Sequence, residues 1–288
     1  MTARNPTPLA VTVYTPESSL ASPNRMLKDM FRDLLASREL AWRLAIRDIS
    51  AMYRQSFLGL LWALILPLAN TSVWIFLSSS GIVTMRDTDL PYPVYVFVGT
   101  MLWAIFMDAV NSPLQVTTAA KPMLARINFP RESLVLSGIY QSLFNASIKV
   151  LLLLVALAIT GIQAGLSLVL FPFGVLSLIL AGTMIGVMLA PVGLLYTDVG
   201  RALPILMQFL MYLTPVVFPI PEEGWSAVVF QANPLTYLIE TTRQWLTGMP
   251  VDQLGYFMLF NGLSLLLLLV FWGIYRLAMP ILIERMSA

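Results

Sequence analysis

Six stretches of the sequence, at about 57–80, 94–118, 134–160, 167–196, 201–219 and 254–278, are long and apolar enough to be buried as membrane-crossing helices. A helix needs about 20 mostly apolar residues to cross the hydrocarbon layer, and a backbone placed there must satisfy its own hydrogen bonds. The chain is therefore expected to be an all-α integral membrane protein with six transmembrane helices. Composition agrees: only 11% of the 288 residues are charged and 58% are hydrophobic. A water-facing globule carries about 25% charged residues, so this chain lacks the polar surface to cover one. Seven Trp, ten Tyr and fifteen Phe supply enough amphipathic rings for two interfacial belts.

Charge placement sets the orientation. With the N-terminus inside, the inner segments hold Arg4, Arg25, Lys28, Arg32, Arg38, Arg43, Arg47, Arg54, Lys121, Arg126, Arg131, Arg201, Arg276 and Arg285. The outer loops hold Arg86 and Arg243, and Lys149 falls inside a span. Positive charge stays inside, and an even number of spans puts both termini in the cytoplasm. Residues 1–33 read as a flexible cytosolic tail without the continuous apolar core of a signal peptide. The six-span region covers 57–279, and 280–288 read as a cytosolic C-terminal tail.

Residues 34–56 precede the first span and read as an interfacial amphipathic helix. Glu39, Arg43, Arg47 and Arg54 share one narrow sector, while Trp42, Ala45, Ile46, Ile49, Met52 and Tyr53 cluster opposite. The outer segment 219–253 is too polar to span. Pro221, Glu222 and Glu223 read as a helix start, and Asn233-Pro234 starts a second helix running to about Leu246. Two short amphipathic helices dipping into the outer interface are expected.

The residues offer little reactive chemistry. There is no Cys and no His, hence no disulfide, no thiol and no imidazole base or ligand. No G-x-x-x-x-G-K-[ST] run occurs, so the chain does not bind ATP by that loop. Asp87-Thr88-Asp89 has the spacing of a metal-dependent glycosyltransferase, but it falls in an outer loop and reads as solvated surface. Two ionisable residues lie at bilayer depth, where charge is costly and usually functional. Lys149 shares a stripe with Gln141 and Asn145, and Asp108 shares one with Asn111 and Gln115. The two are expected to pair with each other or to line a wet cavity. Gly182-x-x-x-Gly186 followed by Ala190 gives the fourth span a face for close helix contact. Trp62, Trp74, Trp103, Phe106, Tyr140, Phe209 and Tyr212 fit interfacial belts, or a route for sugars whose apolar faces stack on rings.

Five segments carry a family resemblance. Arg47-Asp48 followed by YRQSFLGLLWALILP (53–67), YPVYVFVGTMLW (92–103), INFPRE (127–132), LPILMQFLMYLTPVVFP (203–219) and NPLT (233–236) recur in order across about 40–250. In this the chain resembles the permease subunit of ABC transporters that export O-antigen, capsule or teichoic-acid chains. The loop LLYTDVGR (194–201) departs from the aromatic and basic run of relatives, though Asp198 and Arg201 keep its polar character.

The resemblance implies a type-2 ABC exporter fold with no catalytic residue and no cofactor in this chain. It implies a homodimer above two ATP-binding subunits that hold ATP and Mg, a lipid-linked polysaccharide substrate, and a place in the bacterial inner membrane. Surrounding lipid and periplasmic or outer-membrane export proteins are further expected partners; nucleic acid is not. It also implies that loop 119–133 is a coupling element held on the ATPase, and that the helices in 219–253 are outer gates, with Trp225, Tyr237 and Trp245 as gate residues. Within KPMLARINFPRES (121–133), Pro122 opens a two-turn element reaching Phe129. On it, Met123, Leu124 and Ile127 form an apolar contact stripe flanked by Lys121, Arg126, Arg131 and Glu132; Arg43 and Arg47 join the same contact. Alternative readings are a permease for small lipids or drugs, a secondary transporter, or a membrane glycosyltransferase. No inverted repeat with several intramembrane acids supports the second, and no compact soluble catalytic domain supports the third.

Overall fold

The computed structural model describes residues 23–54, 57–81, 90–124, 126, 129–162, 164–221 and 223–287. Among these residues the chain is built from helices: α1 (Pro23–Ala36), α2 (Arg38–Arg54), α3 (Trp62–Ser79), α4 (Tyr92–Ala119), α5 (Lys121–Leu124), α6 (Glu132–Thr160), α7 (Phe171–Leu195), α8 (Asp198–Tyr212), α9 (Trp225–Ala232), α10 (Pro234–Thr247) and α11 (Leu254–Ser287). Short 3-10 turns at Gly59–Leu61 and Leu166–Leu170 lead into α3 and α7. Among the described residues, four helices are long and apolar enough to cross a membrane: α4, α6, α7 with its leading turn, and α11.

Helix α4 is the hub. It packs against α6 and α7 over broad faces, against α3 and α8 on a flank, and against α10 near its start. The α4–α7 seam is close because glycines let the backbones approach: a Cβ at Gly182 would lie 2.6 Å from the Phe106 carbonyl oxygen, and one at Gly186 would lie 2.5 Å from that of Val110. The small-residue face expected on this helix is therefore seated on α4, with Ala190 fully buried beside it. By contrast α6 and α11 keep apolar side chains exposed, among them Leu151, Val155, Ile159, Leu265, Leu266 and Val270. A membrane accommodates that surface, whereas water would penalise it.

The bundle has two distinct ends. At the basic end lie α1, α2, α5, the start of α6 and the last turns of α11; at the far end lie α9, α10 and the starts of α4 and α11. Helix α10 begins where the Asn233 side chain accepts a hydrogen bond from the Leu235 N–H at 3.0 Å, with Pro234 in its first turn. It stops at Gly248, whose φ of 78° is a left-handed cap.

Four expectations are corrected. Residues 23–33, expected as flexible tail, belong to α1, because Met30 is fully buried and α1 packs on α6; residues 1–22 lie outside the described residues. The apolar sector expected on 34–56 divides. Ala41, Leu44 and Ala45 are buried against the chain, while Trp42, Ile46 and Met52 stay exposed. The stretch 201–219 is not one unbroken helix: α8 and the turns after it together run from the basic end to the far end. Helix α8 has 15 residues, about 22 Å, short of a hydrocarbon layer about 30 Å thick. It ends at Tyr212 ahead of Pro215, which cannot continue the helix, and α10 and α4 then hold the following turns by their carbonyls. Finally, the first far-end helix starts at Trp225 rather than at the prolyl-acidic run, after Gly224 turns the chain at a φ of 90°; Glu222 lies outside the described residues.

Candidate functional site

A cavity of about 400 Å³ opens between α3, α4 and α8. Its walls include Trp74 of α3, Thr100, Trp103 and Met107 of α4, and Met207 and Tyr212 of α8. The α4 residues recur at spacings of three and four, so they form one stripe. Trp74 sits edge-on to Tyr212 at 6.1 Å and to Phe218 at 5.2 Å. Asn70 and Gln208 add amides, and the Gln208 amide donates to the Tyr212 hydroxyl at 3.4 Å. No Asp, Glu, Lys or Arg is among the described lining residues. Ring faces with scattered amide and hydroxyl groups suit a neutral, hydroxyl-rich chain, which stacks and hydrogen-bonds without needing a counter-ion.

Of the seven aromatics expected along a sugar route, Trp74, Trp103 and Tyr212 are thus brought together. The other four are elsewhere. Phe106 is fully buried beside Trp103 at 5.3 Å, in the seam with α7, so it packs the core and faces no route. Tyr140 is edge-on to Trp42 at 5.6 Å, and Trp62 and Phe209 are exposed.

The intramembrane pair closes as one of the two expectations had it. Lys149 Nζ lies 2.5 Å from Asp108 Oδ2 and joins α6 to α4. Lys149 is the more buried partner, its side chain 10% exposed against 29% for Asp108. The stripes around them do not merge: Gln141 instead donates to Asp48 of α2 at 3.2 Å, and Asn111 donates to the Met107 carbonyl of its own helix. Asn145 is half-buried.

At the far end the chain hides a cation that sequence reasoning left on the surface. Arg243 is 1% exposed. Its guanidinium pairs with Glu240 at 2.7 Å, donates to the carbonyls of Pro215 and Val216, and lies 3.8 Å above the Tyr95 ring. The Asn233 amide donates to the Leu213 carbonyl at 2.9 Å and to the Thr214 hydroxyl at 2.8 Å. These contacts hold the turns that follow α8. The only local sequence signal is a lone Arg three residues after Glu240 on a Thr-rich helix. Tyr237 and Trp245 are buried in the same region and Trp225 is 79% exposed.

At the basic end the expected contact stripe is corrected. Helix α5 is a single turn from Lys121, and Leu124 is 5% exposed. It belongs to an apolar cluster with Met30, Leu44, Trp272, Tyr275 and Met279, with Met123 and Phe129 packed at its edge. Of that stripe Leu124 is thus turned inward, Met123 is half-buried, and Ile127 lies outside the described residues. Glu132 is also turned inward, 7% exposed and 2.7 Å from Arg276. Lys121 and Arg126 remain exposed and Arg131 is half-buried. Arg43 and Arg47 are exposed too, paired with Glu39 and Asp48, each at 2.7 Å.

Comparison with known proteins places this arrangement. The family described as ABC-2 type transporter matches residues 39–247. The O-antigen export system permease protein RfbA of Myxococcus xanthus is 27% identical over 213 residues, covering 73% of this chain and 81% of that protein. The polysialic acid transport protein KpsM of Escherichia coli is 26% identical, covering 70% of this chain and 78% of that one. An O-antigen export system permease protein RfbA of Klebsiella pneumoniae is 23% identical, covering 68% and 76%.

Proposed function

The chain belongs to the ABC-2 type transporter family, and we propose that it is the permease of a bacterial polysaccharide exporter. It moves a lipid-linked glycan of the O-antigen or capsule type across the inner membrane, powered by ATP bound with Mg on a separate subunit. The observation that carries this reading is the run of similarity to O-antigen and polysialic acid permeases over about 70% of the chain. The cavity supports it: rings, amides and hydroxyls without a fixed charge fit a sugar chain better than an ion.

The working unit in this reading is a homodimer with six crossings per protomer, α3 and α8 completing the set begun by α4, α6, α7 and α11. Both termini face the cytoplasm, since the basic end carries the Lys and Arg residues that resist translocation. Helix α2 lies along the inner surface with Trp42, Ile46 and Met52 toward lipid. The ATPase docks on Lys121, Arg126 and Arg131 with Arg43 and Arg47 beside them, through charge rather than through Leu124. Helices α9 and α10 gate the outer end, and no catalytic residue is required of this chain. Co-expression of the tagged chain with an ATP-binding subunit encoded beside it tests the reading. The two are expected to purify together with ATP hydrolysis stimulated by lipid-linked glycan; a chain that captures no ATP-binding subunit contradicts it.

A further inference from the structure

We propose that α11 is a transmission rod, clasped by Arg276 to the end of the coupling loop and by Tyr256 to the outer helix α10. It carries ATP-driven displacement from one face of the membrane to the other. The proposal rests on the permease reading above and adds the route of force within the protomer.

At the basic end, the Arg276 guanidinium reaches two carboxylates on two other helices. Its Nη1 lies 2.7 Å from Glu132, the first residue of α6 after the loop, and its Nη2 lies 2.5 Å from Asp33 of α1. The neighbouring Tyr275 hydroxyl donates to the Arg131 carbonyl at 3.5 Å, and Phe31 meets Trp272 edge-on at 5.6 Å. Leu124 of α5 shares the apolar cluster of Trp272, Tyr275 and Met279. Both flanks of the loop between α5 and α6 therefore bear on the last turns of α11. The fork of an arginine bridges two carboxylates in a way the point charge of a lysine does not.

At the far end, α11 begins under α10. The Tyr237 ring stacks on Tyr256 at 4.9 Å and on Phe260 at 5.4 Å, and Trp245 meets Phe257 at 4.9 Å. Twenty residues separate Tyr256 from Arg276, about 30 Å of helix, and the proline of α11 lies beyond them at Pro280. Between its ends the helix packs against α7 and otherwise exposes apolar side chains. A proline-free rod with one packed side can shift along its axis without breaking a second seam. The cytoplasmic clasp suits this as well. Arg276 and Asp33 keep 27% and 33% of their side chains exposed, so their link is hydrated and can be remade as the helices move.

Because the chain contains no cysteine, a single Val228→Cys on exposed α9 gives a clean report from the far end. The assembled complex with its ATP-binding subunit is labelled with a maleimide, with and without trapped ATP. The Val228→Cys labelling rate is expected to change with ATP. Adding Arg276→Gln or Tyr256→Leu removes that change and lowers glycan export about tenfold, while co-purification and ATP hydrolysis persist; Arg276→Lys gives an intermediate loss. Tyr256→Leu leaves the basic end untouched, so it decides the matter where Arg276→Gln fails to assemble. The proposal is overturned if both variants keep the ATP-dependent change and normal export, or if Val228→Cys labelling ignores ATP in the complete complex. Loss of co-purification by the unsubstituted chain would instead sink the permease reading itself.

Discussion

Two arginines, one at each end of the bundle, solve opposite problems. Arg243 is wholly enclosed and binds what cannot move far: two backbone carbonyls, a ring face and a carboxylate three residues away on its own helix. Arg276 is a quarter exposed and binds carboxylates on helices 144 and 243 residues distant in sequence. The first arrangement fixes the shape of a turn. The second, in the proposed transmission route, joins helices that shift relative to one another. A buried cation among carbonyls is costly to disturb, whereas a hydrated bridge adds little stability and much linkage.

Disrupting the rigid end should have the largest effect on stability. Arg243→Met removes the guanidinium donors from the Pro215 and Val216 carbonyls and leaves Glu240 unpaired, and is expected to cost about 3 kcal/mol, seen as a lowered thermal midpoint of the purified protein. A midpoint within error of the parent would mean the carbonyl cage does not hold the far end. The intramembrane pair comes next. Lys149→Met leaves Asp108 without its partner and should cost about 2 kcal/mol, with the loss largely relieved in the Asp108→Asn, Lys149→Met double variant. Additive losses would argue that the two residues act separately. At the hydrated end, Asp33→Asn, which breaks the solvent-exposed arm of the Arg276 bridge, should lower stability by no more than about 1 kcal/mol while export falls. A loss matching that of Arg243→Met would erase the distinction between the two ends. The smallest effect is expected where an ion pair lies fully on the surface. Asp198 and Arg201 are 4.0 Å apart and more than 80% exposed, and Asp198→Asn should shift the thermal midpoint by less than the equivalent of about 0.5 kcal/mol.

The same contrast explains how much was legible in the sequence. Long apolar stretches announce α4, α6, α7 and α11, because for a helix surrounded by lipid the length and apolarity of the stretch decide whether it spans. The seat of Gly182 and Gly186 and the pairing of Lys149 with Asp108 were readable too, since small residues and intramembrane charges have few alternatives. The early end of α8 had one local sign, Pro215 three residues beyond Tyr212, but the apolarity of 213–218 masked it, and the donors that hold the turn come from Asn233 and Arg243 in a later segment. Leu124 and Glu132 misled for a related reason. The spacing of Leu124 fits an outward stripe and Glu132 fits a charged start to α6, and only the arrival of α1 and α11 turns them inward. The Asp33–Arg276 contact spans nearly the whole chain and leaves no local trace.

ATP-driven export itself can be measured by reconstituting the chain with its ATP-binding subunit in liposomes loaded with a lipid-linked glycan. The accessibility of that glycan to an external glycan-degrading enzyme is then followed in complexes whose ATP sites face the lumen. With luminal ATP and Mg, degradable glycan is expected to rise with time on the outer surface, and to stay flat without ATP or with an ATPase-dead partner. An equal rise in all three preparations, or none in any, would contradict the claim that this chain is an ATP-driven polysaccharide permease.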